Sequence, residues 1–161
     1  MFELGKLARG AKFMAVIGAM LFVAACAQTQ PDGLQGNVKP GTGQDFVVNV
    51  GDRVFFEEDQ STLNAQAKAT LDKQAQWLSS YSKYTITVEG HADERGTRQY
   101  NLALGARRAN ATRDYLVSRG VSASRIKTIS YGKERPVAVC NDNSCWSQNR
   151  RAVTVLNNAS S

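Results

Sequence analysis

A single histidine, His91, stands in a chain of 161 residues that also has only three cysteines, three prolines and two tryptophans. So few imidazoles exclude a zinc centre of the usual kind, because His91 has no Cys or second His near it in sequence. A Ser-His-Asp centre fares little better. His91 and Asp93 are close, and Ser122 or Ser130 would have to be brought in by the fold, but no Ser sits at a nucleophile elbow. No Glu/Asp pair stands in a glycosidase context. Long apolar runs are also missing. The best, Phe13–Ala25, is too short for a comfortable helical membrane span. Charge of one sign is not concentrated either. The net charge is +6, and Lys6, Arg9 and Lys12 against Glu3 account for part of it. No basic stripe interleaved with aromatics remains for nucleic acid.

What is present is the composition of a globular chain, 42% hydrophobic and 21% charged, with room for one domain and a tail. Residues 1–25 read as a targeting segment: a basic start, an apolar run and small residues, with Cys26 directly after them. Those features resemble a bacterial lipobox, which implies cleavage before Cys26 and its lipidation; the alternative is an ordinary export signal with a chance Cys. Residues 26–44 are then the lipidated Cys and a linker rich in Gly, Gln, Pro and Thr. Fully extended, the linker reaches about 60 Å; as a coil it spans about 20–25 Å.

Residues 45–161 carry the periodic patterns. Phe46–Val50 and Val54–Phe56 read as short strands turned at Gly51-Asp52. Asn64–Ser80 reads as an amphipathic helix with Leu63, Ala67, Leu71, Ala75 and Leu78 inside, Trp77 packed, and Lys68 and Asp72 as an exposed pair. Tyr84–Glu89 is a strand, broken by Gly90, and His91–Thr97 is a polar loop. Arg98–Arg119 is a helix. Its small-residue face is Leu102, Gly105, Ala109, Thr112 and Leu116, with Asn101, Leu104 and Arg108 on the neighbouring face. Gly120 caps it. Ile126–Tyr131, ended by Gly132, and Arg151–Leu156 are strands, with a loop between them. The β-α-β-α-β-β order predicts a two-layer α/β sandwich, a mixed sheet packed by two main helices. A loop carboxylate, Asp93, and a helix guanidinium, Arg108, face one opening. They suit a ligand bearing an ammonium beside a carboxylate, or they simply pair with each other. Cys140 and Cys145 form an even pair behind an export signal, which favours a disulfide.

Gly90-His91-Ala92-Asp93, followed by Asn101, Leu104, Arg108 and Ala109, resembles the motif of the OmpA-like peptidoglycan-binding domain family. Val54, Phe56, Asp59 and Leu63 match the family's upstream pattern, and the likeness runs densely from Val88 to Val153. The resemblance implies the same two-layer sandwich and a non-catalytic module without cofactor or metal. It implies a ligand, the meso-diaminopimelate of the peptidoglycan stem peptide. Asp93 would take its ammonium and Arg108 its carboxylate. Asp59 and Arg95 would be secondary contacts, Leu104 an apolar wall, and Asn101 a residue that holds the loop. One departure stands at Glu58, where lipid-anchored members commonly carry an aromatic. For those members the resemblance further implies an outer-membrane lipid anchor facing the periplasm. It implies TolB and TolA as partners, in a system that supports envelope integrity and cell division. The alternatives are another OmpA-like cell-wall anchor outside that system, or an enzyme acting on cell wall.

Overall fold

Two glycines set how the layers meet. A Cβ on Gly90, in the second strand, would collide with the Gly105 carbonyl of the long helix, and one on Gly105 would collide with Ser130 Oγ. Helix backbone therefore lies directly on strand backbone, which only residues without side chains permit. The computed structural model describes residues 38–157. The targeting segment, Cys26 and most of the linker lie outside the described residues.

Around that contact the described elements run in order. A capped turn, α1 (Gly43–Asp45), continues into a wider π-helical turn over Phe46–Val50. Strand β1 (Arg53–Phe55), helix α2 (Ala65–Ser80), strand β2 (Ile86–His91) and helix α3 (Arg98–Ser118) follow. Strand β3 (Ile126–Gly132), helix α4 (Asn143–Asn149) and strand β4 (Arg151–Leu156) complete the domain. The sheet order is β1-β4-β2-β3, with β2 parallel to β3 and β4 antiparallel to both β1 and β2. The two-layer mixed α/β sandwich expected from the sequence is the observed architecture. No described helix is long and apolar enough to cross a membrane.

The helices begin where the chain offers caps. Asn64 Oδ1 accepts the Ala67 N–H at 2.8 Å and opens α2. Thr97 Oγ1 accepts the Tyr100 N–H at 3.1 Å and opens α3. The core lies between helices and sheet, with Leu71 and Leu78 of α2, Ala109 and Leu116 of α3, and Ile86 and Val88 of β2. Gln74 is buried there too, donating to Gly51 O at 2.7 Å and accepting from Thr154 Oγ1 at 2.8 Å, so its amide is satisfied.

Several local expectations are corrected. Phe46–Val50 is helical, not a strand. The Asp45 carboxylate accepts the Gly41 N–H, Asn49 Nδ2–H and Trp77 Nε1–H, each at 2.8 Å, and this local network outweighs the β preference of the valines. Phe46 is buried while Val47 and Val48 stay exposed. Gly90 lies inside β2 rather than ending it, because it is needed for the approach to Gly105. Leu102 is 42% exposed and off the buried face of α3, where Asn101, Leu104 and Arg108 sit instead. Leu63 is half-buried, outside α2. Asp72 accepts from Tyr115 Oη of α3 at 3.0 Å and pairs with Nε of Arg119, the residue after α3, at 2.7 Å, rather than with Lys68. Asn143–Asn149, expected as loop, is a helix capped by Asp142.

Candidate functional site

The loop after β2, the first turns of α3 and the loop after β1 enclose a cavity of about 180 Å³. Glu58, Asp59, Asp93, Arg95, Gly96, Tyr100, Asn101 and Leu104 line it. Five of the six site residues expected from the sequence are in that lining. The sixth, Arg108, lies beneath it.

Arg108 is fully buried. Its Nε donates to Gln60 O at 2.8 Å, one terminal nitrogen to His91 O at 2.8 Å and the other to Glu57 O at 3.1 Å. Its guanidinium stands 5.2 Å from the Phe56 ring centroid. It therefore ties the loop after β1 to the end of β2, and it does not pair with Asp93. Burial pushes its pKa down to about 10, with the charge of Asp93 opposing and that of Arg150 adding, so it is a cation at neutral pH.

Asp93 is 7% exposed and bound by two other arginines. Its Oδ1 accepts the Arg95 backbone N–H at 3.1 Å and Nε–H at 3.2 Å; its Oδ2 accepts from Arg95 NH2 at 2.8 Å and Arg150 NH1 at 3.4 Å. Burial alone would raise its carboxyl, but the hydrogen bonds and charge of Arg95, joined by Arg150, outweigh it and hold the group below its ordinary value. Arg95 also donates to Glu58 Oε1 at 2.7 Å. Asn101 Nδ2 donates to Arg95 O at 2.7 Å, which fastens the loop to α3. Asp59 adopts φ 53° and accepts from Tyr100 Oη at 3.3 Å. The arrangement is a small cavity with acidic groups in its wall, the buried Arg108 cation behind it and the partly exposed Arg95 cation at its rim.

Sequence reasoning missed the contributions from the far end of the chain. Arg150 is buried, donates to Phe56 O at 3.0 Å and to Asn143 Oδ1 at 3.2 Å, and reaches Asp93. Trp146 lies against Arg95, with its ring centroid 4.1 Å from the guanidinium carbon, and donates through Nε1 to Glu94 at 3.1 Å. Cys140 and Cys145 are joined in a disulfide that closes onto α4. The signal was present in Asp142 followed by Asn143, a capping residue before a short polar stretch.

The hydrolytic triad is not assembled. His91 is buried with neither ring nitrogen hydrogen-bonded, stacked on Tyr131 at 5.6 Å between centroids. Burial first, then the charges of Arg151, Arg135 and Arg53, push its pKa down to about 4. Ser130 Oγ donates to Leu102 O and Ser122 Oγ bonds Ser124 Oγ. Among the described residues, no cluster of His, Cys, Asp and Glu could hold a metal.

The chain resembles known proteins over most of its length. The model of the OmpA family matches residues 55–151. The peptidoglycan-associated lipoprotein of Mesorhizobium japonicum is 62% identical over 156 residues, covering 92% of this chain and 93% of the relative. That of Rhizobium meliloti is 71% identical over 126 residues, 78% of this chain and 72% of the relative. The crystal structure of the peptidoglycan-associated lipoprotein from Burkholderia pseudomallei superposes with a TM-score of 0.67 at 39% identity, covering 71% of this chain and 98% of that one. The C-terminal domain of Helicobacter pylori MotB gives 0.62 at 21% identity, covering 66% of this chain and 84% of that one, and speaks for the fold alone. The chain thus belongs to the OmpA family, in the branch formed by the peptidoglycan-associated lipoproteins.

Proposed function

We propose that the cavity binds peptidoglycan non-covalently through the meso-diaminopimelate of the stem peptide, and that a lipid on Cys26 fixes the chain to the outer membrane on its periplasmic side. The observation that carries this reading is Asp93, a nearly buried carboxylate at a cavity wall whose side-chain partners, Arg95 and Arg150, are both cations. A ligand ammonium is the same kind of partner. The ligand's carboxylate, on the same carbon, faces positive charge from Arg108 beneath and Arg95 at the rim. Arg108 has two guanidinium N–H not committed to carbonyls. Asp59 adds negative charge on the ammonium side, Leu104 an apolar wall, and Asn101 holds the loop. No step of bond breaking is required, and the site offers no aligned nucleophile and base.

A module of this kind on a lipid tether links membrane to cell wall. We assign it to the Tol-Pal system, with TolB and TolA as protein partners; pull-downs from envelope extract that recover neither would sink that part. The binding itself is tested by co-sedimentation of the purified chain with diaminopimelate-type and lysine-type sacculi. Asp93→Asn keeps the size of the side chain and removes its charge. Pelleting with diaminopimelate-type sacculi should fall by about 30-fold or more in affinity, from the loss of one partner of a desolvated ion pair. Undiminished pelleting of the variant, or equal pelleting of the wild type with both wall types, would place the site elsewhere.

A further inference from the structure

Asp93 already holds a cation from its own chain. The Arg95 guanidinium meets it through Nε and NH2 at 3.2 and 2.8 Å, a fork laid on a carboxylate. The two partners differ in freedom. The Arg95 side chain is 34% exposed and that of Asp93 9%, so the anion is fixed and the cation can leave. While the fork is in place, Oδ2 is closed to an incoming ammonium.

Arg95 has a second set of contacts that do not involve Asp93. NH1 donates to Glu58 at 2.7 Å, and the guanidinium plane lies against Trp146 at 4.1 Å. Trp146 is in turn held by Glu94 and carried on the disulfide-closed α4. Asp93 is not stranded when Arg95 lets go. Arg150 remains on Oδ2, itself fastened to Phe56 O and Asn143 Oδ1.

We propose that Arg95 is the pocket's own counter-ion and a specificity-determining residue: the ligand ammonium replaces it on Asp93, and the released guanidinium, kept in plane by Trp146, closes on the ligand carboxylate. One ion pair within the protein is exchanged for two with the ligand, and the total charge of the site is conserved. A ligand with an ammonium alone breaks the internal pair and gives the guanidinium nothing in return. Discrimination between a zwitterionic side-chain end and a plain lysine therefore resides in a pair that exists before binding, which is selection by a penalty on the wrong ligand. This inference rests on the reading of the cavity given above.

The test is calorimetric titration of the full chain, in mild detergent, with two tripeptides that differ only in carrying meso-diaminopimelate or lysine. The wild type should prefer the diaminopimelate peptide by about tenfold or more. Arg95→Gln should bring that ratio to about threefold or less, with the lysine peptide binding more tightly than it does to the wild type. Trp146→Ala should weaken the diaminopimelate peptide by about threefold and leave the lysine peptide unchanged, and Trp146→Phe should restore it. If Arg95→Gln keeps the wild-type preference, or weakens both peptides equally, the exchange is wrong and Arg95 is a loop-building residue. If the wild type binds neither peptide, or Asp93→Asn binds as the wild type does, the cavity reading fails and the exchange falls with it.

Discussion

Arg108 and Arg95 are the same residue type, close to the same carboxylate, and they do opposite work. Arg108 is buried, and its hydrogen bonds go to three main-chain carbonyls on two separate segments. Arg95 is a third exposed, and its hydrogen bonds go to side-chain carboxylates. The region around Arg108 is built from backbone: α3 lying on β2 at Gly90 and Gly105, with no room for a side chain between them. The region around Arg95 is built from side chains of the loop and α4. The cavity thus has a floor that cannot yield and a rim that can, and burial rather than residue identity separates the two roles. A carbonyl left without its donor in the interior costs its full desolvation, whereas an exposed ion pair is replaced by water at little cost.

The sharpest way to break this comparison is to remove the floor cation while keeping its bulk. Arg108→Met leaves the carbonyls of Glu57, Gln60 and His91 without their shared donor. A loss of about 2–4 kcal/mol is expected, from ~1–3 kcal/mol for the buried His91 carbonyl and less for the partly buried carbonyls of Glu57 and Gln60. Urea unfolding monitored by tryptophan emission measures it. Arg95→Gln in the same assay should leave the midpoint where it is. Equal destabilisation by the two variants would mean that floor and rim are one unit.

The floor was the part legible in the sequence. Asn101, Leu104 and Arg108 fall at helical spacing, and α2, α3, β3 and β4 appear close to where their periodicity puts them, because a one-sided apolar stripe is a local signal. The chemistry of Arg108 was not legible: spacing places it near Asp93 but cannot show that three carbonyls claim it first. Of the rim, the family resemblance named Arg95 and Asp59 and the even Cys pair suggested the disulfide, but the partners that hold Arg95 and Asp93 from the far end of the chain were not legible. Arg150 reaches Asp93 from 57 residues away in sequence, a distance across which no pattern runs. Helix α4 is short and polar, Asn143 to Asn149, so it has no apolar period to detect. Phe46–Val50 shows the converse error. Its valines look like strand, and the three hydrogen bonds that make it helical converge on Asp45, one of them from Trp77, 32 residues on.

A second measurement uses pH and bears on His91, the residue whose carbonyl Arg108 holds. Its ring is buried without hydrogen bonds, and its pKa falls from 6.5 to about 4. Between those values the unfolded chain binds a proton that the folded chain does not. Stability is therefore complete above about pH 6.5 and is lost as the pH falls toward 4, by an amount on the order of 2–3 kcal/mol. The depressed carboxyl of Asp93 acts the same way but lower, its contribution disappearing only as pH falls through its own reduced pKa. Urea midpoints from pH 7 to 4 should slope down in the wild type and flatten in His91→Phe, which keeps the stack on Tyr131. An unchanged slope in the variant would assign the acid sensitivity to carboxylates instead.

The smallest effect expected is at the rim's support. Replacing Cys140 and Cys145 together by Ser opens a loop with a sequence separation of 5. So short a closure limits the entropic stabilisation to about 2 kcal/mol at most. The location of the loss matters more than its size. Hydrogen exchange should quicken at the α4 amides, including the Trp146 N–H that bonds to Asp142 O, and stay slow across β2 and α3. Trp146 then no longer presents a fixed face to Arg95, so the double variant should behave in peptide titration as Trp146→Ala does. If exchange quickens in β2 and α3 as well, the disulfide supports the floor too, and the division between a fixed base and a yielding rim is lost.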